Sequence, residues 1–339
     1  MLIKPDLNDE AIITCLQDAY GLEVATILFL PIGADFNTAV YRITTSNQTD
    51  YFLKLRSGEF LEASVLVPKY LADLGVKQVI PPLPTKTRQL WASLGSFKAI
   101  LYPYVEGRNG VEAKLSEDQW AQFGVAIKRL HTTDTPSSIT KDIPREAFSS
   151  KWRETVKAFL MRIENEIFEE PVAVQMAMFL KSKRNEILKL LEHAAKLAIT
   201  IQKQPLNYVL CHADMHGWNL IVDKEAVFYI VDWDTLIFAP KERDLMFIGA
   251  GIWGSGRTVF AEESLFYQGY GQTKIDWDVI AYYRFERIIQ DIGDYCEYIF
   301  LSDEGGDDRM QCFEHLQPVF LPNGAIERAY DSYNTRKIL

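Results

Sequence analysis

Hydrophobic spacing divides this chain into a front part that alternates between helix and strand and a longer remainder read almost entirely at helical period. Ile12, Ile13, Leu16, Ala19 and Tyr20 recur at the three-to-four-residue interval of one helix face, and Gly21 stands where that helix should end. Strand-like runs follow at 24–32, 39–45 and 51–56, the last two separated by the turn-forming stretch 46–50. Residues 60–74 read as a helix stopping before Gly75, and Pro68, which has no N–H to donate, should kink or split it. Runs at 89–94 and 97–104 complete an antiparallel five-stranded sheet with one helix inserted after its third strand. Turn chemistry at Gly107 and Asn109-Gly110 then marks a boundary, so we expect one lobe over 1–104 and a second, mainly helical lobe over 105–339.

In that second part Ser116-x-x-Gln119 is a capping-box pattern opening a helix to about His131, which suits a helix C-terminus as cap or packing residue. Residues 146–203 are dominated by helix formers, with Pro171 interrupting them, and Ile187, Leu188, Leu190 and Leu191 give an amphipathic face. Residues 276–301 read as a long amphipathic helix carrying Glu286, Asp291, Asp294 and Glu297. The pairs Asp303-Glu304 and Asp307-Asp308 around Gly305-Gly306 read as an exposed loop.

Composition narrows the function classes. A formal charge of −10 over 339 residues argues against nucleic-acid binding and favours cationic ligands. Cys15, Cys211, Cys296 and Cys312 show no C-x-x-C pairing, so reduced thiols are expected rather than a zinc site or disulfide framework. No run approaches the roughly 18 apolar residues of a membrane span, and the N-terminal residues lack an apolar leader core. A cytoplasmic protein with no membrane partner is the expectation. Gly249-Ala250-Gly251-Ile252-Trp253-Gly254 matches G-x-G-x-x-G literally, but it follows a predicted helix where a dinucleotide site needs a strand, so it reads as a glycine-rich connection.

The chemistry is concentrated in residues 208–234, where two His, several Asp and one Asn crowd the ends of short apolar runs. His212-x-Asp214-x-His216 offers three alternating metal-capable side chains. Asp232-x-Asp234-Thr235 after an apolar run has the order of an aspartyl-phosphate phosphatase motif with Asp232 as nucleophile. His212-x-Asp214-x-x-x-x-Asn219 followed by Asp232 has the order of a kinase catalytic loop and metal carboxylate. The remaining His131, His193 and His315 form no ligand cluster. The residues after Asp232 read as helical, too poor in strands for a phosphatase's parallel sheet. Only the kinase reading uses the first lobe. There Gly33, Asp35 and Asn37 link two strands in a loop able to turn N–H groups toward phosphates, though a plain hairpin turn has the same residues. Lys54 lies inside a strand on the face it shares with Phe52, and Glu62 near the start of the next helix could reach back to it.

In these motifs the chain resembles the aminoglycoside phosphotransferase and choline kinase-like family, relatives of protein kinases, from the lobe of Lys54 through Pro240-Lys241-Glu242-Arg243-Asp244-Leu245. The segments YFLKL, CHADMHGWN, IVDWD, APKERDLMFIG and YYRFER are similar to those of the spectinomycin-phosphorylating branch. The resemblance implies a bilobal protein-kinase-like α+β fold and transfer of the γ-phosphoryl group of ATP, with Mg²⁺, to a hydroxyl of a small cationic acceptor. In that picture Asp214 orients the hydroxyl and takes its proton, and Asn219 and Asp232 hold Mg²⁺. Lys54, held by Glu62, binds the α- and β-phosphates, and Tyr102, Pro103 and Val105 border the adenine. Glu286, Asp291 and Asp294 would wall the acceptor site. Asp234, where protein kinases place a glycine, faces either the acceptor or its own loop. His212 braces the loop. The same order is compatible with a metabolic kinase of choline, homoserine or methylthioribose type, and with a nucleotide-binding pseudokinase. A monomer or weak homodimer is expected.

Overall fold

The computed structural model describes residues 4–33, 37–250, 255–302 and 306–335, with the backbone alone for 306–308. Asp35, positions 251–254 of the glycine-rich run, Asp303 and Glu304 lie outside the described residues. In chain order the elements begin with α1 (Asp9–Tyr20), β1 (Val24–Leu30), β2 (Thr38–Thr45), β3 (Asp50–Arg56), α2 (Ala63–Asp73), β4 (Ala92–Leu94), β5 (Phe97–Pro103) and β6 (Gly107–Asn109). Helices α3 (Gly110–Ala113), α4 (Glu117–Thr132), α5 (Ser137–Thr140), α6 (Lys151–Asn165) and α7 (Pro171–Ile201) follow. Then come β7 (Tyr208–Cys211), β8 (Leu220–Asp223), β9 (Phe228–Ile230) and β10 (Ile237–Pro240). The last helices are α8 (Glu242–Leu245), α9 (Val259–Tyr270), α10 (Trp277–Leu301), α11 (Gly306–Leu316) and α12 (Ala325–Thr335).

Two compact units result. The first takes residues 1–119, 125–144 and 217–236; the second takes 120–124, 145–216 and 237–339. The first is built on an antiparallel sheet of order β1-β2-β3-β5-β4. Strand alternation gives it two distinct faces. Ala39, Tyr41, Ile43, Leu53, Leu55, Ala99 and Leu101 pack on Ile12 and Leu16 of α1. That helix is capped by the Asn8 side chain and closed by Gly21, whose φ of 74° is the left-handed conformation a C-terminal cap needs. The opposite face carries Val40, Lys54 and Ile100 in cross-strand register, and Ile100 packs with Val65 of α2. Lys54 is therefore presented on the α2 side because its neighbours Leu53 and Leu55 are committed to the core.

Two boundaries differ from expectation by three residues. Helix α2 begins at Ala63 rather than at residue 60 and runs unsplit through Pro68. Strand β4 keeps only three residues, because 85–89 close a turn: Thr85 N donates to Gln89 O, and Gln89 N donates to Thr85 Oγ1. A small sheet of order β6-β8-β9 completes this unit. Its closest approach requires glycine, since a Cβ on Gly107 would lie 2.5 Å from the Val222 carbonyl oxygen.

The second unit is mainly helical. The expected interruption at Pro171 is present, since α6 ends at Asn165. Pro171 itself occupies the first turn of α7, where no N–H is needed, and Glu170 accepts from Val172 N and Ala173 N. Helix α10, capped by Asp276, packs against α6, α7 and α12 and buries residues on most of its circumference. Gly306–Leu316 forms a helix where an exposed loop was expected around Asp307-Asp308. An antiparallel β7–β10 ladder pairs Cys211 with Ile237 and Tyr208 with Pro240. Together the sheet and the helical remainder form the expected α+β architecture. The four cysteines are free thiols. Among the described residues no helix is long and apolar enough to cross a membrane.

Candidate active site

In the first unit the site begins with Lys54. Its ammonium lies 2.7 Å from Asp234 Oδ2 and 2.9 Å from Asp232 Oδ1. Burial by itself favours the neutral amine, but Asp232 and Asp234 reverse the balance and hold Lys54 charged well above the ordinary lysine range. The magnitudes agree: removing an ion from water costs several kcal/mol, while each carboxylate at this range returns on the order of 4 kcal/mol at an effective dielectric near 20. Asp234 is the better shielded partner, with 21% of its side chain exposed against 48% for Asp232. Burial pushes the Asp234 carboxyl up, but Lys54, then Arg56 at 3.7 Å, outweigh it and keep it below the usual range.

The expected Lys54–Glu62 pair is therefore replaced. Glu62 is exposed at the N-terminus of α2, and the lysine is taken by two carboxylates from the turn after β9. Asp234 likewise lies on the lysine, in its own unit, so its first partner is a cation of the sheet rather than an acceptor. Asp232 adopts φ 63°, ψ 68°, a left-handed conformation unusual for a residue with a Cβ and costing about 1–3 kcal/mol. Such strain aims a carboxylate that ordinary strand geometry would not.

Asn219 is buried and ends a short 3₁₀ turn, Gly217–Asn219; its carbonyl accepts from Val231 N at 3.0 Å, tying it to the strand that leads to Asp232. The Asn219 and Asp232 side chains supply oxygen donors of the kind Mg²⁺ takes. Tyr102 is paired with Phe52 across β5 and β3, with ring centroids 6.4 Å apart. Pro103 is exposed and Val105 half-buried just beyond. Gly33, at φ 91°, and Asn37 flank the loop between β1 and β2, and the Asn37 carbonyl accepts from Ser57 N at 2.8 Å.

In the second unit β7 delivers the chain to His212–His216. Asp244, 2% exposed, accepts from two successive N–H groups of this loop, His212 N at 3.0 Å and Ala213 N at 2.6 Å. Ala213 can present its N–H this way because it sits at φ 70°, a second strained residue immediately before Asp214. His212 is fully buried and its Nδ1 accepts from Asp214 N at 3.3 Å, in keeping with a bracing role.

Both oxygens of Asp214 are engaged. Oδ1 is 2.5 Å from Arg287 Nη1, and Oδ2 is 3.3 Å from His216 Nε2. Burial would raise this carboxyl, but the His216 hydrogen bond and the Arg287 charge overcome it and hold Asp214 ionised far below the carboxylate range. Arg287 is braced in turn by Asp291, one helical turn along α10, through Nε at 2.8 Å. Burial and the nearby Asp214 charge raise the Asp291 carboxyl although Arg287 pulls it down.

The expected acidic wall is thus largely spoken for. Asp291 serves Arg287, and Glu286 pairs with the buried Arg153, leaving Asp294 as the exposed carboxylate of the three. Burial pushes Glu286 up to about 7, with Arg153 compensating in part. Sequence reading assigned no role to Arg287 or Asp244, and considered His216 only as a metal ligand beside His212 and Asp214. Arg287-x-x-x-Asp291 is a helix-face pair visible in the sequence, but nothing local announces that Arg287 also reaches Asp214.

Residues 29–283 match the phosphotransferase enzyme family. The chain belongs to this family, and it is a phosphotransferase with the kinase-like fold of that class. It is similar to a spectinomycin phosphotransferase solved in complex with ADP and spectinomycin: 33% identity, 97% of this chain and 99% of that one covered, TM-score 0.89. It shares its fold with the choline kinase LicA from Streptococcus pneumoniae at 16% identity and TM-score 0.56, over 95% of this chain and 99% of that one. Protein StrN of Streptomyces griseus aligns at 24% identity over 178 residues, 51% of this chain and about half, 55%, of the relative's own length.

Proposed function

We propose that the protein transfers the γ-phosphoryl group of ATP to a hydroxyl of a small cationic aminocyclitol or aminoglycoside, with spectinomycin the leading acceptor. The observation that carries this reading is the meeting of Lys54 with Asp232 and Asp234 within 3 Å. A lysine and carboxylates so placed match the two things a nucleotide requires, a cation for its phosphates and an oxygen ligand for its metal. The acceptor class rests on the likeness to the spectinomycin phosphotransferase.

In this reading Lys54 binds the α- and β-phosphates while Asp234 and Arg56 keep the local charge balanced. Asn219 and Asp232 are the residues that would hold Mg²⁺, which would supply positive charge against the phosphates. The adenine lies along Tyr102–Val105, where the Val105 N–H and the Pro103 carbonyl are the backbone groups on offer. Asp214 receives the acceptor hydroxyl. Its low proton affinity suits that task, because phosphoryl transfer passes through a loose transition state and the hydroxyl proton leaves late. Orientation of the nucleophile then matters more than strong basicity, and Asp214 is held from both sides.

The test is an ATP-consumption screen across aminocyclitols, aminoglycosides and small alcohols such as choline, with product masses measured. Gain of one phosphoryl group on spectinomycin supports the reading. Turnover confined to choline or another small alcohol would make the enzyme a metabolic kinase, and nucleotide binding without turnover of any alcohol would make it a pseudokinase.

A further inference from the structure

We infer that Arg287 is a positioning residue for the transfer: braced by Asp291, it holds the Asp214 carboxylate in the orientation that receives the acceptor hydroxyl. The inference rests on the reading that Asp214 receives this hydroxyl. Its geometric basis is that two different nitrogens of one planar guanidinium are used, Nη1 toward Asp214 at 2.5 Å and Nε toward Asp291 at 2.8 Å. Two bonds from a rigid fork fix its plane as well as its position, which a lysine ammonium does not do. The fork stands over the Phe247 ring, with Cζ 5.8 Å from its centroid, and Phe247 is 2% exposed. Arg287 and Asp291 share α10, whose neighbouring residues Ile288, Ile289 and Ile292 are buried, so the brace is anchored on a helix that the core holds still.

A purely structural ion pair is the competing account. Arg287 is 28% exposed and Asp214 18%. At that degree of burial the loss of either partner also costs stability, so a positioning role is read from kcat and its rescue rather than from unfolding. A carboxylate that must meet an incoming hydroxyl gains directly from a fixed orientation, and a displacement near 1 Å costs on the order of 100-fold in rate. The divided use of Asp214 fits this: one oxygen is taken at short range by Arg287, and the other has His216 at the longer distance of 3.3 Å.

The experiment measures transfer from ATP to spectinomycin in Arg287→Ala, Arg287→Lys and Asp291→Asn, with Asp214→Asn as reference. Arg287→Ala should lower kcat on the order of 100-fold with the KM for ATP within about twofold, and added guanidinium ion should recover part of the loss. Asp291→Asn, which keeps the guanidinium but removes its brace, should give a smaller fall in kcat, and it serves as the decisive variant if Arg287→Ala does not fold. Arg287→Lys, which lacks the fork, should stay impaired. Unchanged kcat in Arg287→Ala and Asp291→Asn overturns the inference, as does a loss in Arg287→Ala that added guanidinium fails to relieve or an Arg287→Lys variant as active as the parent. Activity in Asp214→Asn instead overturns the underlying assignment of Asp214.

Discussion

Asp234 Oδ2 lies 2.7 Å from Lys54 Nζ, joining residues 180 positions apart, whereas the carboxylate of the next helix, Glu62, is exposed. Asp234→Asn should therefore raise the KM for ATP about tenfold, or about 1.4 kcal/mol, because the lysine loses its better shielded partner. Glu62→Gln should change it far less. Steady-state kinetics together with ADP titration calorimetry separates the two; a larger effect at Glu62 would restore the helix glutamate as the partner.

Asp244 holds two consecutive N–H groups of the loop before Asp214, both within a fully packed region. Asp244→Asn turns one acceptor oxygen into an NH₂ facing a donor, so a buried N–H loses its partner at a cost of about 1–3 kcal/mol. Thermal unfolding should show a lower midpoint, and transfer should fall with it. A variant as stable and active as the parent would mean that the loop is held by other contacts.

Glu286 links stability to pH. Its folded pKa, about 7, lies above the unfolded value near 4.3. Its contribution is thus fully present below the unfolded value and lost as pH rises toward 7, by roughly 4 kcal/mol at most. Glu286→Gln does not titrate, so its stability relative to the parent should improve steadily between pH 5 and 7 and then level off. Chemical denaturation across that range checks the slope; a difference independent of pH would show that Arg153 keeps Glu286 ionised throughout.

The sheet, its order of elements, the end of the first helix at Gly21 and the helix starts at Glu117 and Trp277 were legible because alternation, capping residues and turn glycines are local signals. The Asp214, Asn219 and Asp232 spacing was legible for the same reason. What escaped notice depends on pairing across long separations. Lys54 selects its carboxylates from the turn at 232–234, and Asp214 meets a guanidinium 73 residues later. The strained φ of Ala213 and Asp232 could not be read either, since neither is a glycine. Pro171 was legible as a break in the helical stretch but not as the first residue of the next helix, which Glu170 as cap determines.

The most direct test of phosphoryl transfer through Asp214 is a paired measurement on Asp214→Asn: ADP affinity by calorimetry and phosphorylated spectinomycin by mass spectrometry. The account predicts ADP binding within about twofold of the parent and a loss of product on the order of 1,000-fold, about 4 kcal/mol of transition-state stabilisation. Near-normal product formation in this variant would contradict it.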